Sequence, residues 1–250
     1  MGKNKTGKYL LYAFGEIMLV VIGILIAIQI NNWNQNQQLK KTEISILKTL
    51  TIEFETNKNL IQICHKSVLV GIKFADSLKK HIGPEPSSLP IKELYFLFGE
   101  IGSAEKCRIS IALLEDFKNS GKINLISNEL VRKNISLWFA YVKELKKEED
   151  EWSQEFSNQF IPYTNKWIQW EDVDYYFFPD DSGYIKSRFN IDPRLILKNP
   201  EFANIMSIHY WRMKRIERRT DKLLKHTIEL LELIKKNLKN NESTTKYKIN

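Results

Sequence analysis

The sequence predicts an all-α protein, in which an N-terminal transmembrane helix continues into a long stalk helix and an antiparallel helical bundle. Three observations carry that expectation. Tyr9 to Ile30 form an apolar run broken by a single acid, Glu16, and long enough to cross a bilayer as a helix. Beyond it, apolar residues recur every three or four positions, the spacing of packed helices, and no βαβ alternation or internal repeat competes with that reading. A composition of 43 % hydrophobic and 12 % aromatic residues suits a domain with a real core.

The charges beside the span orient it. Lys3, Lys5 and Lys8 crowd its N-terminal side, whereas the first base beyond it is Lys40, so residues 1–8 are expected in the cytoplasm. Tyr9, Tyr12 and Trp33 suit the two interfacial belts. The run ends in Ala27-Ile-Gln-Ile-Asn-Asn with no A-x-A-like cleavage site, which favours an uncleaved anchor over a removed signal peptide. Residues 31–240 then form a periplasmic helical domain, if the cell has two membranes.

The stretch KYLLYAFGEIMLVVIGILIAIQINNWN, Lys8 to Asn34, resembles the opening signature of an uncharacterised family of N-terminally anchored, single-span bacterial membrane proteins typical of Bacteroidota. A second stretch, LEDFKNSGKINLISNEL from Leu114 to Leu130, resembles an inner signature of the same family. The resemblance implies a mostly helical layout and brings no assigned activity.

Along the stalk, residues 31–82, a seam runs through Leu47, Leu50, Phe54, Asn57, Ile61, Cys64, Val68, Gly71, Ala75 and Leu78. On it Cys64 reads as a small buried hydrophobe and Asn57 as a polar group setting register. Three prolines between Gly83 and Pro90 stop the helix. The bundle, residues 91–160, opens with short helices over 91–101 and 110–118, the second ended by Asn119-Ser-Gly121. A longer helix capped by Ser127 or Asn128 follows, with a stripe of Leu130, Leu137, Tyr141, Leu145, Trp152, Phe156 and Phe160. Residues 161–200 hold four prolines and read as an irregular, aromatic segment. A final helix over 201–240 carries Ile205, Ile208, Ile216, Leu224, Ile228, Leu231 and Leu238, and the polar tail 241–250 is expected to be disordered.

The residues point away from catalysis. No two of the four histidines show the i, i+4 spacing of a helical zinc site, and Cys107 has no His near it in sequence. Glu171, Asp172, Asp174, Asp180 and Asp181 do not match the twelve-residue calcium loop and read as a solvated turn. No phosphate-cradling glycine loop or nucleophile elbow is present. The expectation is therefore a non-enzymatic scaffold or interaction module without cofactor or metal; a ligand-sensing bundle acting through a partner membrane protein is the alternative, and an envelope enzyme the remotest. Two cysteines exclude a disulfide framework and leave one bridge open. The net charge of +8 falls to 35 bases against 29 acids once Lys3, Lys5, Lys8 and Glu16 are set aside, a modest excess that argues for no nucleic-acid partner.

Two candidate surfaces remain. Glu16 costs a few kcal/mol if it stays charged at the bilayer centre, so it must reach the near interface, lose its charge or find a partner. It shares a helix face with Gly23 and Ala27, a small-xxx-small pair that permits close approach of another transmembrane helix, from a second copy or a different protein. Trp167, Trp170, Tyr175 and Tyr176 are the candidate partner surface, since aromatic side chains offer large contact area at low entropic cost. The bases Arg212, Lys214, Arg215, Arg218, Arg219, Lys222 and Lys225 read as a solvated helix face.

Overall fold

The computed structural model describes residues 5–102 and 106–246, and these are helical with no strand. Helix α1 runs unbroken from Lys5 to Lys79, a 75-residue helix about 110 Å long at 1.5 Å per residue. It ends where His81 and Ile82 donate to the carbonyls of Leu78 and Lys79 and Gly83 N–H turns to Leu197, after which Pro84 and Pro86 forbid continuation. Helix α2 (Ile91–Gly102) and α3 (Ala112–Asn119) are short. Gly121, at φ 73°, takes the left-handed conformation that a side chain would resist, and it turns the chain into a 3₁₀ segment over Lys122–Leu125. Asn128 caps α4 (Glu129–Glu155) by accepting from Leu130 N and Val131 N. A π-helical turn over Phe156–Phe160 leads into α5 (Ile161–Thr164). Helix α6 (Trp170–Phe177) and a 3₁₀ turn at Pro193–Lys198 precede α7 (Pro200–Lys246), which starts with proline in its first turn, where no N–H is needed.

The chain from 161 to 200, expected to be irregular, thus contains two short helices and a 3₁₀ turn. Three of its four prolines, Pro162, Pro193 and Pro200, fall at helix starts, where their fixed φ helps, and Pro179 follows the end of α6. Likewise α7 runs to Lys246, into the stretch expected to be disordered, and Lys48 of α1 pairs there with Glu242 at 2.9 Å. The remainder of that tail, 247–250, lies outside the described residues, as do 1–4.

Helices α1 and α7 are antiparallel, and their register can be read from Lys48–Glu242, Glu55–Lys235 at 2.7 Å and His65–Thr220 at 2.9 Å. Helix α4 packs on α7 in the opposite sense, through Trp138 to Thr227 and Trp152 to His209. The seam foreseen on α1 is buried: Leu47, Leu50, Phe54, Ile61, Ala75 and Leu78 are fully enclosed. Phe54 stands edge-on to Trp138 at 5.3 Å, and Trp138 donates its indole N–H to Thr227. Gly71 lets α7 approach closely, since an added Cβ would sit 2.9 Å from the Met213 methyl. A second core lies at the far end of α1, where Leu94, Phe98, Ile101, Phe160, Ile196, Phe202 and Met206 gather into a cap.

The buried faces of α4 and α7 are rotated from those expected. On α4 the core residues are Val131, Ile135, Trp138, Val142, Leu145 and Trp152, while Leu130 and Leu137 are exposed. On α7 they are Phe202, Met206, Met213, Ile216, Leu223, Leu230, Leu231 and Ile234, while Ile208 and Ile228 are exposed. Each of these helices packs against more than one neighbour, so its apolar surface is broader than a single seven-residue stripe and the stripe alone misplaces its centre.

Phe54→Ala should lower stability by about 3 to 5 kcal/mol, because the ring is enclosed and its cavity cannot collapse against Trp138. Ile63→Ala, on the exposed back of the same helix, should stay within about 0.5 kcal/mol. Guanidinium unfolding of the full chain in detergent, followed by circular dichroism, compares the two directly.

Candidate functional site

The first surface is the apolar stretch itself. Tyr9 to Ile30 form part of one helix long and apolar enough to cross a membrane, and none of that stretch is buried by the rest of the fold. Gly23 meets no other atom within 4 Å of where a Cβ would stand, so the face holding Glu16, Gly23 and Ala27 is free within the chain. At about 100° per residue this face lies on the side of α1 roughly opposite the buried seam. It shares that side with Ile52, Ile63 and Val70, which are 67 %, 66 % and 48 % exposed. The back of α1 is apolar over residues 9–30, and beyond them it carries these three isolated apolar side chains among polar ones such as Lys41, Ser45, Asn59 and Lys66. Ile52, Ile63 and Val70 stand too far apart to give a periodic signal in the sequence.

The second surface is largely turned inward. Trp170 packs edge-on to Phe98 and donates its indole N–H to Asn165 at 2.8 Å. Tyr176 stacks on Tyr95 at 5.7 Å, and Trp167 lies partly buried against the cap core. Only Tyr175 of the four is exposed. Asp172, read from sequence as part of a solvated turn, is buried and accepts from Tyr95 O–H at 3.1 Å and from Ser187 N–H at 2.8 Å. These bonds hold the 178–192 segment on the cap and leave Ile185 and Phe189 outward, 82 % and 75 % exposed.

The bases on α7 meet acids that sequence proximity does not reveal. Arg212 binds Glu155 and Glu151, Arg215 binds Glu148, and Arg219 binds Glu144, all supplied by α4. Burial pushes Glu148 up, yet Arg215, Arg219 and Arg212 outweigh it and hold its carboxyl below the usual range. Arg212, Arg215 and Arg219 thus form an interhelical clamp, whereas Arg218, Lys222 and Lys225 remain on the exposed face expected of the series. The aromatic Trp211 lies against Arg215 and Arg212, with ring distances of 4.7 and 5.1 Å.

Cys64 and Cys107 are joined in a disulfide, with a Cα–Cα distance of 5.3 Å, so Cys64 is a cross-link rather than a small hydrophobe of the seam. The bridge pins the chain between α2 and α3 to α1. Asn57 adds to it: its amide donates to the Ser110 carbonyl at 2.8 Å and accepts from Ser110 N–H at 2.9 Å, so it orders this connection instead of the helix register expected of it. Beside the bridge lies Glu149, whose carboxylate oxygen and the two sulfurs all fall within 4.8 Å of one another. Bonded to each other, the sulfurs offer no thiolate to a metal ion.

Two buried groups give the fold a pH signature. Burial pushes Glu149 up to about 6, with the Cys107 N–H opposing, and burial pushes His209 down to about 4. A raised carboxyl favours the fold below its ordinary value of 4.5 and loses that contribution as pH rises to about 6. A depressed histidine does the reverse, its contribution being present above 6.5 and lost as pH falls toward 4. Glu149→Gln keeps an acceptor for Cys107 N–H, so it should be more stable than the parent by about 2 kcal/mol at pH 8 and indistinguishable at pH 4. Denaturant titrations at the two pH values test the sign.

Residues 16–77 match a family of unknown function (DUF6090). The match begins at Glu16 inside the apolar stretch and runs along α1 almost to its end at Lys79, so what the chain shares with that family is most of helix α1. No curated protein and no solved structure matches the chain.

Proposed function

We propose that this protein is a single-pass membrane-anchored scaffold or interaction module, non-enzymatic, with its N-terminus in the cytoplasm and its helical domain facing the periplasm of a bacterial inner membrane. One observation carries the reading: α1 passes without a break from an unburied apolar span into the centre of the bundle. Such a helix fixes the domain relative to the bilayer and holds its cap at a set height, which is what a spacer or adaptor requires. The flanking lysines support the orientation, and so does the Cys64–Cys107 bridge, since disulfides persist in oxidising compartments. The free face of Glu16, Gly23 and Ala27 is the surface for another transmembrane helix, with Glu16 as the polar group such a partner would satisfy. Ile52, Ile63 and Val70 extend that contact along the stalk.

A ligand-sensing role is the second reading, favoured by the same continuity: the cap rests on the end of a helix that reaches the membrane unbroken, so a change at the cap would reach the span. On this reading the signal would pass through the span to the partner helix.

Proteinase K added to spheroplasts should remove the domain, while inside-out vesicles should protect it; protection in spheroplasts would contradict the orientation. Photo-crosslinkers placed at Ala27 and at Ile63 should capture the same species, and Glu16→Gln should weaken the adduct at Ala27. Absence of an adduct at both positions in intact membranes would remove the adaptor reading.

A further inference from the structure

The disulfide sits where exchange chemistry is possible. Cys64 is buried, whereas Cys107 is only half-buried, and together they line a surface cleft with Leu60, Ile63, Ser67, Lys106 and Arg108. An incoming sulfur therefore reaches Cys107 first. Lys106, which shares its charge with Asp150 at 2.6 Å, and Arg108 stand at the same cleft, so positive charge lies near the Cys107 sulfur once it is released.

Glu149 completes the arrangement from within. It is 4 % exposed, accepts Cys107 N–H at 2.8 Å and keeps a carboxylate oxygen within 4.8 Å of both sulfurs. The charged groups acting on it are Lys106 from the connection and Asp150 and Lys146 from its own helix. Around it α1 presents Ser67 and Val68, and α7 presents Met213 and Ile216. Glu149 forms no ion pair with a described residue, since Lys106 is engaged by Asp150 at 2.6 Å. An acceptor for one backbone N–H need not be an acid, and a buried unpaired acid lowers stability at neutral pH. A proton held next to a disulfide has a use in catalysis of exchange.

We propose that Cys64–Cys107 is an exchangeable bridge, opened by a protein dithiol through attack on the Cys107 sulfur, with Glu149 as the acid that protonates the departing Cys64 sulfur. The dithiol's first thiolate bonds to Cys107, the S–S bond breaks, and its electron pair leaves on Cys64, which takes the Glu149 proton. The dithiol's second thiolate then attacks the mixed disulfide, and Cys107 departs as a thiolate beside Lys106 and Arg108 and is protonated by water. Water also returns the proton to Glu149. Two electrons pass to the bridge, which becomes two thiols, while the dithiol becomes a disulfide. Once opened, the connection between α2 and α3 keeps its hold on α1 through Asn57 and Ser110, and Ser110 Oγ donates to Glu53 at 2.6 Å.

The probe is dithiothreitol, added to the full-length protein in nanodiscs from about pH 5 to pH 8, with opened thiols trapped by a polyethylene-glycol maleimide and circular dichroism recording the fold. The expected result is opening without loss of helicity, at a rate, per dithiothreitol thiolate, that falls as pH rises through about 6. Glu149→Gln should slow opening at pH 5 on the order of a hundredfold and flatten that profile. A bridge that opens only when the protein unfolds would overturn the proposal, and so would an unchanged rate and profile in Glu149→Gln. Should Glu149→Gln fail to fold, the profile of the unmodified protein decides alone, a flat one refuting the role of Glu149.

Discussion

A helix as long as α1 is not held by its own hydrogen bonds, because isolated helical segments in water are marginal and polar stretches more so. Residues 31–42, rich in Asn and Gln, have almost no packing of their own. They stay helical because the apolar span continues the helix on one side and the α1–α7 pairing continues it on the other. The antiparallel contact between α1 and α7 is thus the interaction on which the structure rests. It encloses Leu47, Leu50, Phe54 and Ile61 and gives α4 a groove to fill. It also carries the far end of α1 to where α2, α6 and the start of α7 can close a second core.

Polar groups then select one arrangement among the many that apolar stripes would allow. Glu43, buried, accepts both the N–H and the hydroxyl of Ser127 at 2.8 Å and seats the start of α4 beside the lower stalk. Asn57 with Ser110, and Cys64 with Cys107, seat the connection between α2 and α3. The Arg212, Arg215 and Arg219 series aligns α7 with α4 through four glutamates one helical turn apart. Breaking the pairing of Glu148, whose side chain is 5 % exposed, would leave a buried charge uncompensated, so this end of the series ties α7 to α4 in one register.

The all-α class and the course of α1 were legible because periodicity records which side of a helix is dry, and α1 has one dry side. Its seam could be named residue by residue, Asn57 included, although the partner of Asn57 could not. Helices α4 and α7 each face two neighbours, so the widest apolar stripe did not mark the centre of their buried surface, and Leu130, Leu137, Ile208 and Ile228 point outward. The cysteine pairing was not legible, since the two residues are 43 apart and nothing local brings them together. The same distance problem hid the arginine clamp, whose acids lie on another helix. Of the aromatic residues picked as a surface, Trp167, Trp170 and Tyr176 serve the cap core, because in this segment apolar area is needed to cover α2. The exposed Ile52, Ile63 and Val70 are illegible for the opposite reason, being too far apart among polar residues to stand out as a pattern.

The proposed scaffold role depends most on α1 being one rigid helix between the apolar stretch and the bundle. Nitroxide labels at Leu25 and Asn59, on the full chain in nanodiscs, would report it by electron–electron double resonance. An unbroken helix places the two backbones about 51 Å apart with a narrow distribution. A shorter or broad distribution would mean a hinge between residues 31 and 42, and the domain would then hang from its anchor instead of standing on it.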